Sequence, residues 1–177
     1  VSIYNLILQI RPDFSEALYN LGVALGELGQ LEEAEKVYLR AIRANPELAS
    51  AYNNLGDLYL KQGRLDEAEK QFLKAIEFRH GYVSAYVNLG EIYRRKGDKD
   101  RAREYAEKAL SLKPDSGQAR NLLAHILRDS GKAVEALDAY QQVLAGNPTS
   151  AQAYYNLGVS LTDVGRWEEA EKLLKKD

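Results

Sequence analysis

Residues 51–75 have the sequence AYNNLGDLYLKQGRLDEAEKQFLKA, and this pattern recurs along the chain at an interval of 34 residues. A Leu-Gly or Leu-Ala pair, an isolated glycine and an alanine each occur five times without a change of phase. The isolated glycines are Gly29, Gly63, Gly97, Gly131 and Gly165, and the alanines are Ala34, Ala68, Ala102, Ala136 and Ala170. Three series that share one interval identify the chain as an array of repeats.

Each repeat is predicted to contain two amphipathic helices. Within residues 51–59 the apolar side chains and one glycine recur at i, i+1, i+4, i+5, i+7 and i+8, which is a helical period. Gly63 follows where a helix end favours a residue that adopts a positive φ. A second helix is then expected from Asp66, with Ala68 and Phe72 on its buried face. We expect the recurrent small residues to let the two antiparallel helices approach closely.

The repeat boundaries follow when Ser15 is taken as position 1. We expect a single array with a partial repeat at 1–14, full repeats at 15–48, 49–82, 83–116 and 117–150, and a truncated repeat at 151–177. Proline closes most repeats because it cannot continue a helix, and these prolines are Pro12, Pro46, Pro114 and Pro148. His80 replaces proline in the repeat 49–82, where we expect Gly81 to end the helix instead.

Composition narrows the class of protein. The net charge is −2 and the isoelectric point is about 5.8, which argues against a nucleic-acid binder. No apolar run approaches the ~18 residues that a membrane span requires. The chain has no cysteine, so disulfides and cysteine-ligated metals are excluded. The compartment stays open, with the cytoplasm favoured over the periplasm, and the absence of methionine suggests a piece of a longer protein.

Catalysis is not expected from this sequence. His80 and His125 are the only histidines, and no residues show zinc-type spacing. The acidic pairs at 32–33, 66–67 and 168–169 share one repeat position, the first turn of the second helix, where negative charge complements the helix dipole. We therefore predict no catalytic residues, no metal and no cofactor.

The repeat motif resembles that of the tetratricopeptide repeat family over essentially the whole chain. In the repeat 49–82 the residues that carry the resemblance are Tyr52, Leu55, Gly56, Tyr59, Ala68, Phe72 and Ala75. The resemblance implies an all-α fold, a right-handed superhelical solenoid of antiparallel helix pairs. Ala106 stands in place of the usual aromatic residue, Arg120 in place of an aromatic residue or leucine, and Val143 in place of alanine. The repeat 117–150 is therefore expected to form the softest junctions.

One face of the first helices is the candidate binding surface. Positions 2, 5, 6, 9, 12 and 13 of each repeat fall on one side of a helix, and we call this surface the first-helix face. The resemblance implies that it lines a concave groove and binds a protein or peptide. The site residues predicted on it are Tyr19, Asn20, Asn53, Asn54, Asp57, Lys61, Asn88, Glu91, Arg94, Arg95, Asn121, His125, Arg128, Tyr155 and Asn156.

Asparagine recurs at position 6 of this face, in Asn20, Asn54, Asn88 and Asn156, and Leu122 interrupts the row. An amide both donates and accepts, so such a row suits a peptide backbone. Packed helices lie about 8–10 Å apart and an extended peptide advances about 3.3 Å per residue, so one asparagine would meet roughly every third ligand residue. The row resembles the asparagine ladder of O-linked N-acetylglucosamine transferase. The alternative is that these amides hydrogen-bond within the protein.

Charge on the first-helix face allows two interpretations. Lys61, Arg94, Arg95 and Arg128 form a candidate basic strip that suits an acidic peptide. Alternatively, the arginines pair with neighbouring carboxylates such as Glu91. The clamp by which co-chaperone members of the family hold a terminal carboxylate needs lysine at position 5 and asparagine at position 9. Neither residue type occupies its place here.

The sequence thus predicts a protein-interaction scaffold that binds an extended peptide or a partner helix in a groove. The alternatives are a substrate-recruiting segment of a larger enzyme, such as a glycosyltransferase, and a module that self-associates end to end. Association through the ends would use apolar edges at Ile3 and Ile7 and at Leu173 and Leu174. RNA binding is disfavoured by the acidic balance and by the fixed interval of 34 residues.

Overall fold

The computed structural model describes residues 1–174 of the chain. Within that range the chain forms eleven α-helices and no strand. The helices are α1 (Ser2–Ile10), α2 (Ser15–Glu27), α3 (Leu31–Ala44), α4 (Ala49–Lys61), α5 (Leu65–Phe78), α6 (Val83–Arg95), α7 (Lys99–Leu112), α8 (Gly117–Asp129), α9 (Ala133–Gly146), α10 (Ala151–Asp163) and α11 (Trp167–Leu174). The predicted all-α class is confirmed.

The chain divides into two compact units, Val1–Asn88 and Leu89–Asp177, which we call unit 1 and unit 2. In unit 1, each helix from α1 to α4 packs against the next one in the chain. In unit 2, the same neighbour packing joins α7 through α11 in order. Each unit is therefore a stack of helix pairs. The expectation of a single array over residues 1–177 stays a prediction.

The helix boundaries repeat with the sequence. The first helices α2, α4, α6, α8 and α10 each have 13 residues, and the second helices α3, α5, α7 and α9 each have 14. The isolated glycine of each repeat adopts a positive φ, as Gly63 does at 76°. This confirms the predicted helix stop, because L-residues with a side chain rarely adopt that conformation. α5 begins at Leu65, one residue before the predicted start.

The expectation that Gly81 ends α5 is wrong. The helix ends at Phe78, and the backbone N–H of Arg79 donates to the Ala75 carbonyl. Arg79 has φ −143°, and Asn45 has φ −139° at the equivalent place after α3. This extended backbone is open to any residue, and Gly81 is not among the glycines with a positive φ. The turn thus forms without its usual proline.

Small residues of the first helices lie against large residues in the core. A Cβ built on Gly56 would lie 2.8 Å from Cε1 of Phe72, and one built on Gly22 would lie 2.6 Å from Cε1 of Tyr38. Real Cβ atoms do not approach ring carbons so closely, so glycine is needed here. Ala68 is fully buried beside them, as the close-packing argument predicts.

The third full repeat fills the same space from a different residue. Ala106 occupies the position that Tyr38 and Phe72 occupy in the first two repeats, and it is fully buried. A Cβ on Gly90 would meet Cδ2 of Leu122 at 2.6 Å instead of an aromatic ring. Leu122 belongs to the next repeat and stands where the asparagine row is interrupted. The two departures from the motif therefore compensate for each other at one packed contact.

The apolar edge predicted at the start of the chain is present on α1. Ile3 is 73% exposed, and Leu6 and Ile10 on the same helix are also exposed, whereas Ile7 is half-buried. At the other end Leu173 is half-buried, and the side chain of Leu174 lies outside the described residues. Association through these edges stays a prediction.

Candidate functional site

In unit 1 the first-helix face combines exposed, half-buried and buried side chains. Asn20 and Lys61 are exposed, whereas Tyr19, Asn54, Asp57 and Asn88 are half-buried. The expectation of a solvent-facing side chain is wrong for Asn53, which is only 8% exposed. Its Oδ1 atom is buried without a hydrogen-bond partner among the described residues, and its amide donates to Asn54 Oδ1 over 3.3 Å.

Asn54 joins two successive repeats of unit 1 by hydrogen bonds. Its Nδ2 donates to the hydroxyl of Tyr19 over 3.3 Å, and Tyr19 lies 35 positions earlier in the chain. Burial raises the pKa of Tyr38 to about 12, and a hydrogen bond from Asn54 partly offsets this rise. The local-bonding alternative therefore describes Asn54. By contrast, Asn20 and Asn88 form no side-chain hydrogen bond within the described part of the chain.

Unit 2 contains a chain of directed hydrogen bonds. Gln152 Nε2 donates to Asn156 Oδ1 over 3.0 Å, and Asn156 Nδ2 donates to Asn121 Oδ1 over 2.9 Å. Asn121 Nδ2 lies 3.1 Å from His125 Nε2, and His125 Nδ1 lies 2.7 Å from the Tyr140 hydroxyl. All donors and acceptors match when His125 is neutral with its proton on Nδ1, a tautomer assigned from this network.

Two predicted site residues in unit 2 differ in their access to solvent. Asn156 is only 2% exposed, so the expectation that it faces solvent is wrong. The reason is that both ends of its amide are used inside the protein, by Gln152 and Asn121. Tyr155 beside it is 62% exposed and available to a ligand. Asn121 and His125 are half-buried.

His125 is expected to make unit 2 sensitive to mild acid. Burial lowers the pKa of His125, and the positive charges of Arg128 and Arg94 lower it further. The contribution of neutral His125 to the free energy of unfolding is therefore fully present above the unfolded-state pKa of about 6.5, and it is lost as the pH falls below that value. Protonation on Nε2 would also set that N–H against the amide of Asn121. Urea unfolding should therefore give a lower free energy of unfolding at pH 5.5 than at pH 7.5. The difference should be a fraction of the roughly 1.4 kcal/mol that corresponds to one pH unit, because solvent partly screens His125.

Replacing His125 with glutamine should reduce this dependence on pH, whereas the control His80→Gln, at an exposed turn residue, should retain it. The carboxylates with lowered pKa values, such as Glu91, titrate below this window. An equal loss of stability in the His125→Gln variant would contradict the assignment.

Ion pairs occupy most of the charged positions. In unit 1, Lys61 Nζ lies 2.7 Å from Asp57 Oδ2. In unit 2, Glu91 binds both Arg94 and Arg95, at 2.8 and 2.7 Å, and Arg94 also binds Asp129 at 2.6 Å. Arg128 is half-buried and has no ion pair within the described range. The structure therefore favours carboxylate pairing over a free basic strip at Arg94 and Arg95, but not at Arg128.

Four residues of these networks are not among the site residues predicted from the sequence, namely Tyr38, Asp129, Tyr140 and Gln152. Tyr38 and Tyr140 occupy a position that is also filled by Phe72, so their apolar rings suggest only packing. Their hydroxyls reach the first-helix face at Asn54 and His125. A useful signal is tyrosine rather than phenylalanine at this position, because a buried hydroxyl needs a partner.

The acidic pairs lie where the sequence places them, in the first turns of α3, α5 and α11. Among the described residues no three or more histidine, aspartate or glutamate side chains are grouped to hold a metal ion. Across the same residues, every helix is too short or too polar to span a membrane.

Comparison with known proteins defines the family. Residues 3–154 match the family model described as the Cilia and flagella-associated protein 70 C-terminal domain, and residues 139–172 match a tetratricopeptide repeat model. Because the first match covers most of the chain, the chain belongs to this family of tetratricopeptide repeat proteins. Such proteins are generally interaction modules rather than enzymes. A search of curated proteins found no match.

Solved structures share the fold. YrrB, described as a TPR protein with an unusual peptide-binding site, is 24% identical, with a TM-score of 0.70 over 98% of this chain and 89% of that one. Pseudomonas aeruginosa pilF is 24% identical, with a TM-score of 0.80 over 94% and 76%. The Cut9–Hcn1 structure of APC/C is 18% identical, with a TM-score of 0.90 over 97% and 34%. These similarities establish the fold alone. The likeness to O-linked N-acetylglucosamine transferase stays a prediction.

Proposed function

We propose that this protein is a non-catalytic interaction scaffold that binds an extended polypeptide along the first-helix face. The observation that carries the proposal is a hydrogen bond repeated in both units. It joins position 6 of one repeat to position 5 of the preceding repeat, as Asn54 to Tyr19 and as Asn156 to Asn121. Such bonds hold polar groups of successive first helices in a fixed order. A peptide backbone, with its own regular donors and acceptors, suits a surface of this kind.

Within unit 1 the amides of Asn20 and Asn88 are the best candidates for direct ligand contact. Asn20 is exposed, Asn88 is half-buried, and neither side chain is hydrogen-bonded in the described structure. Asn54 is held by Tyr19 and Tyr38, so its role is to support the surface as much as to bind. YrrB, which shares the fold, has a peptide-binding site, and this likeness supports a peptide as the class of ligand.

The double substitution Asn20→Ala and Asn88→Ala tests the proposal. A phage-displayed library of random 12-residue peptides would be selected on the 177-residue chain, and one selected peptide titrated by calorimetry. We expect the variant to bind about tenfold more weakly, because two hydrogen bonds of about 0.5–1.5 kcal/mol each are lost. The melting temperature should change by less than about 2 °C, because neither amide is bonded in the free protein.

The matched control is Asn45→Ala, which removes an asparagine from the turn after α3, away from the first-helix face. Its side chain accepts a hydrogen bond from the backbone of Glu47, so it should lower stability slightly and leave affinity unchanged. Selected peptides that bind the double variant as tightly as the native chain would contradict the proposal.

Two wider roles remain proposals. One is that this array recruits substrates for a larger enzyme, which is compatible with peptide binding. The other is association between copies, for which the exposed apolar residues Ile3, Leu6 and Ile10 of α1 are the supporting observation. Exposed apolar clusters of this kind mark contact surfaces in many proteins.

A further inference from the structure

Unit 1 contains a pocket beside the asparagine row. Its volume is about 230 Å³, and α2, α3 and α4 all contribute to it. The walls are apolar, formed by Val23, Leu31, Leu58 and the ring of Tyr38. Glu27 and Asp57 add two carboxylates to the lining, and Asn54 and Lys61 also line it, so the formal charge of the lining is −1. The pocket therefore combines apolar walls with negative charge.

The pocket is open because position 12 of α2 is glycine. A Cβ built on Gly26 would meet nothing within 4 Å, and its φ is not positive, so neither packing nor backbone geometry requires glycine here. The equivalent residue of α4 is Leu60, which is buried. Glycine within a helix lowers stability relative to alanine. Gly26 is thus unfavourable for the helix, and the space it leaves is the pocket.

The charges of the pocket favour a cation. Glu27 is exposed and forms no ion pair or hydrogen bond in the part of the chain that the structure describes. Asp57 is paired with Lys61, but the Lys61 side chain is 67% exposed and such surface pairs are weak. The net formal charge of these three groups is negative. A cation that enters the pocket is therefore attracted by the carboxylate of Glu27, and it can also interact with Asp57 alongside Lys61.

We propose that this pocket binds a lysine or arginine side chain of the polypeptide ligand. The aliphatic stem of such a residue would pack against Val23, Leu58 and Tyr38 while its charged group meets Glu27 and Asp57. The inference rests on the proposed function and adds to it one specificity position. It also distinguishes unit 1 from unit 2, where Arg94 and Arg95 are paired with carboxylates.

The surroundings of Tyr38 agree with a negative potential in the pocket. Its pKa is raised to about 12, first by burial, and the carboxylates of Asp57 and Glu27 add to the rise. Both carboxylates therefore act on the hydroxyl of Tyr38, whose ring lines the pocket. The same field would attract a positively charged side chain.

The test uses peptides selected from the same random library. Selected sequences should share a lysine or arginine at one fixed position, and replacing that residue with norleucine should weaken binding about tenfold. Gly26→Leu should cause a similar loss by filling the pocket, and Glu27→Gln a smaller one. Gly26→Leu should fold normally, because leucine already occupies this position in α4. The control Glu33→Gln, which removes an exposed charge on α3, should leave affinity unchanged.

Each other outcome separates this inference from the proposed function. Peptides that lack a fixed basic residue, or that bind the Gly26→Leu variant normally, would overturn the cation pocket. In that case, weaker binding by the variant that lacks both Asn20 and Asn88 would still support the proposed peptide binding. Equal binding of norleucine would also overturn it, since the pocket would then be merely apolar. A fixed basic residue whose binding ignores Asn20 and Asn88 would uphold the pocket and contradict the proposed asparagine contacts.

Discussion

Replacing Ala106 with tyrosine and Leu122 with asparagine together is expected to cost much less stability than the sum of the two single changes. Leu122→Asn alone should lower the free energy of unfolding by about 3–5 kcal/mol, because it removes a buried leucine and inserts an amide. Ala106→Tyr alone should cost about 1–3 kcal/mol or more, because the ring would compete with Leu122 for the space over Gly90.

The double variant recreates the pair found at Tyr38 and Asn54, where the ring lies over the glycine and the amide bonds its hydroxyl. Urea unfolding should therefore give a coupling energy of about 2 kcal/mol or more between the two sites. The control combines Ala106→Tyr with Leu161→Ala, since Leu161 packs in a different cluster with Leu157. That pair should be additive, and additivity in the first pair would show that Leu122 does not replace the aromatic ring.

Replacing Phe72 with alanine should lower the free energy of unfolding by about 3–5 kcal/mol. The ring is 0% exposed, and it lies against Gly56, which has no side chain that could move to fill the cavity. Chemical denaturation monitored by circular dichroism provides the measurement. The neighbouring Leu73→Ala is the matched control, and it should cost less than about 1 kcal/mol because Leu73 is 44% exposed.

Phe72→Tyr separates ring volume from other causes. Tyr38 occupies the same repeat position in the first full repeat, with its ring over Gly22. The tyrosine variant should therefore stay within about 1.5 kcal/mol of the native chain. A loss as large as that of the alanine variant would mean that volume does not explain the stability of this site.

Features set by a repeating local cause were predictable from the sequence. The period of 34 residues, the helix pairs and the glycine stops depend on spacing and on positive φ, which single residue types reveal. The turn at Arg79 was mispredicted because an extended φ carries no such residue signature. Glycine next to His80 suggested a special stop where an ordinary turn suffices.

The first-helix face was predictable as a surface but not atom by atom. Helical spacing places Asn53 and Asn156 on the correct side, yet both are buried in the structure. Compensation between Ala106 and Leu122 was also hidden, because each looks like an isolated departure until the contact between repeats is known. The pairing of Arg94 with Asp129, 35 positions away, shows the same limit. Contacts across a repeat junction depend on packing, which the spacing within one helix does not determine.

The hydrogen bond from Asn54 to Tyr19 affects how ligand binding would change the flexibility of the protein. These two side chains lie on the proposed binding surface, and their hydrogen bond also joins one helix pair to the next. A ligand that stabilises this hydrogen bond would reduce local unfolding in both repeats at once, without changing the average structure. Ligand binding at one repeat would then be detected at the next repeat as a loss of flexibility.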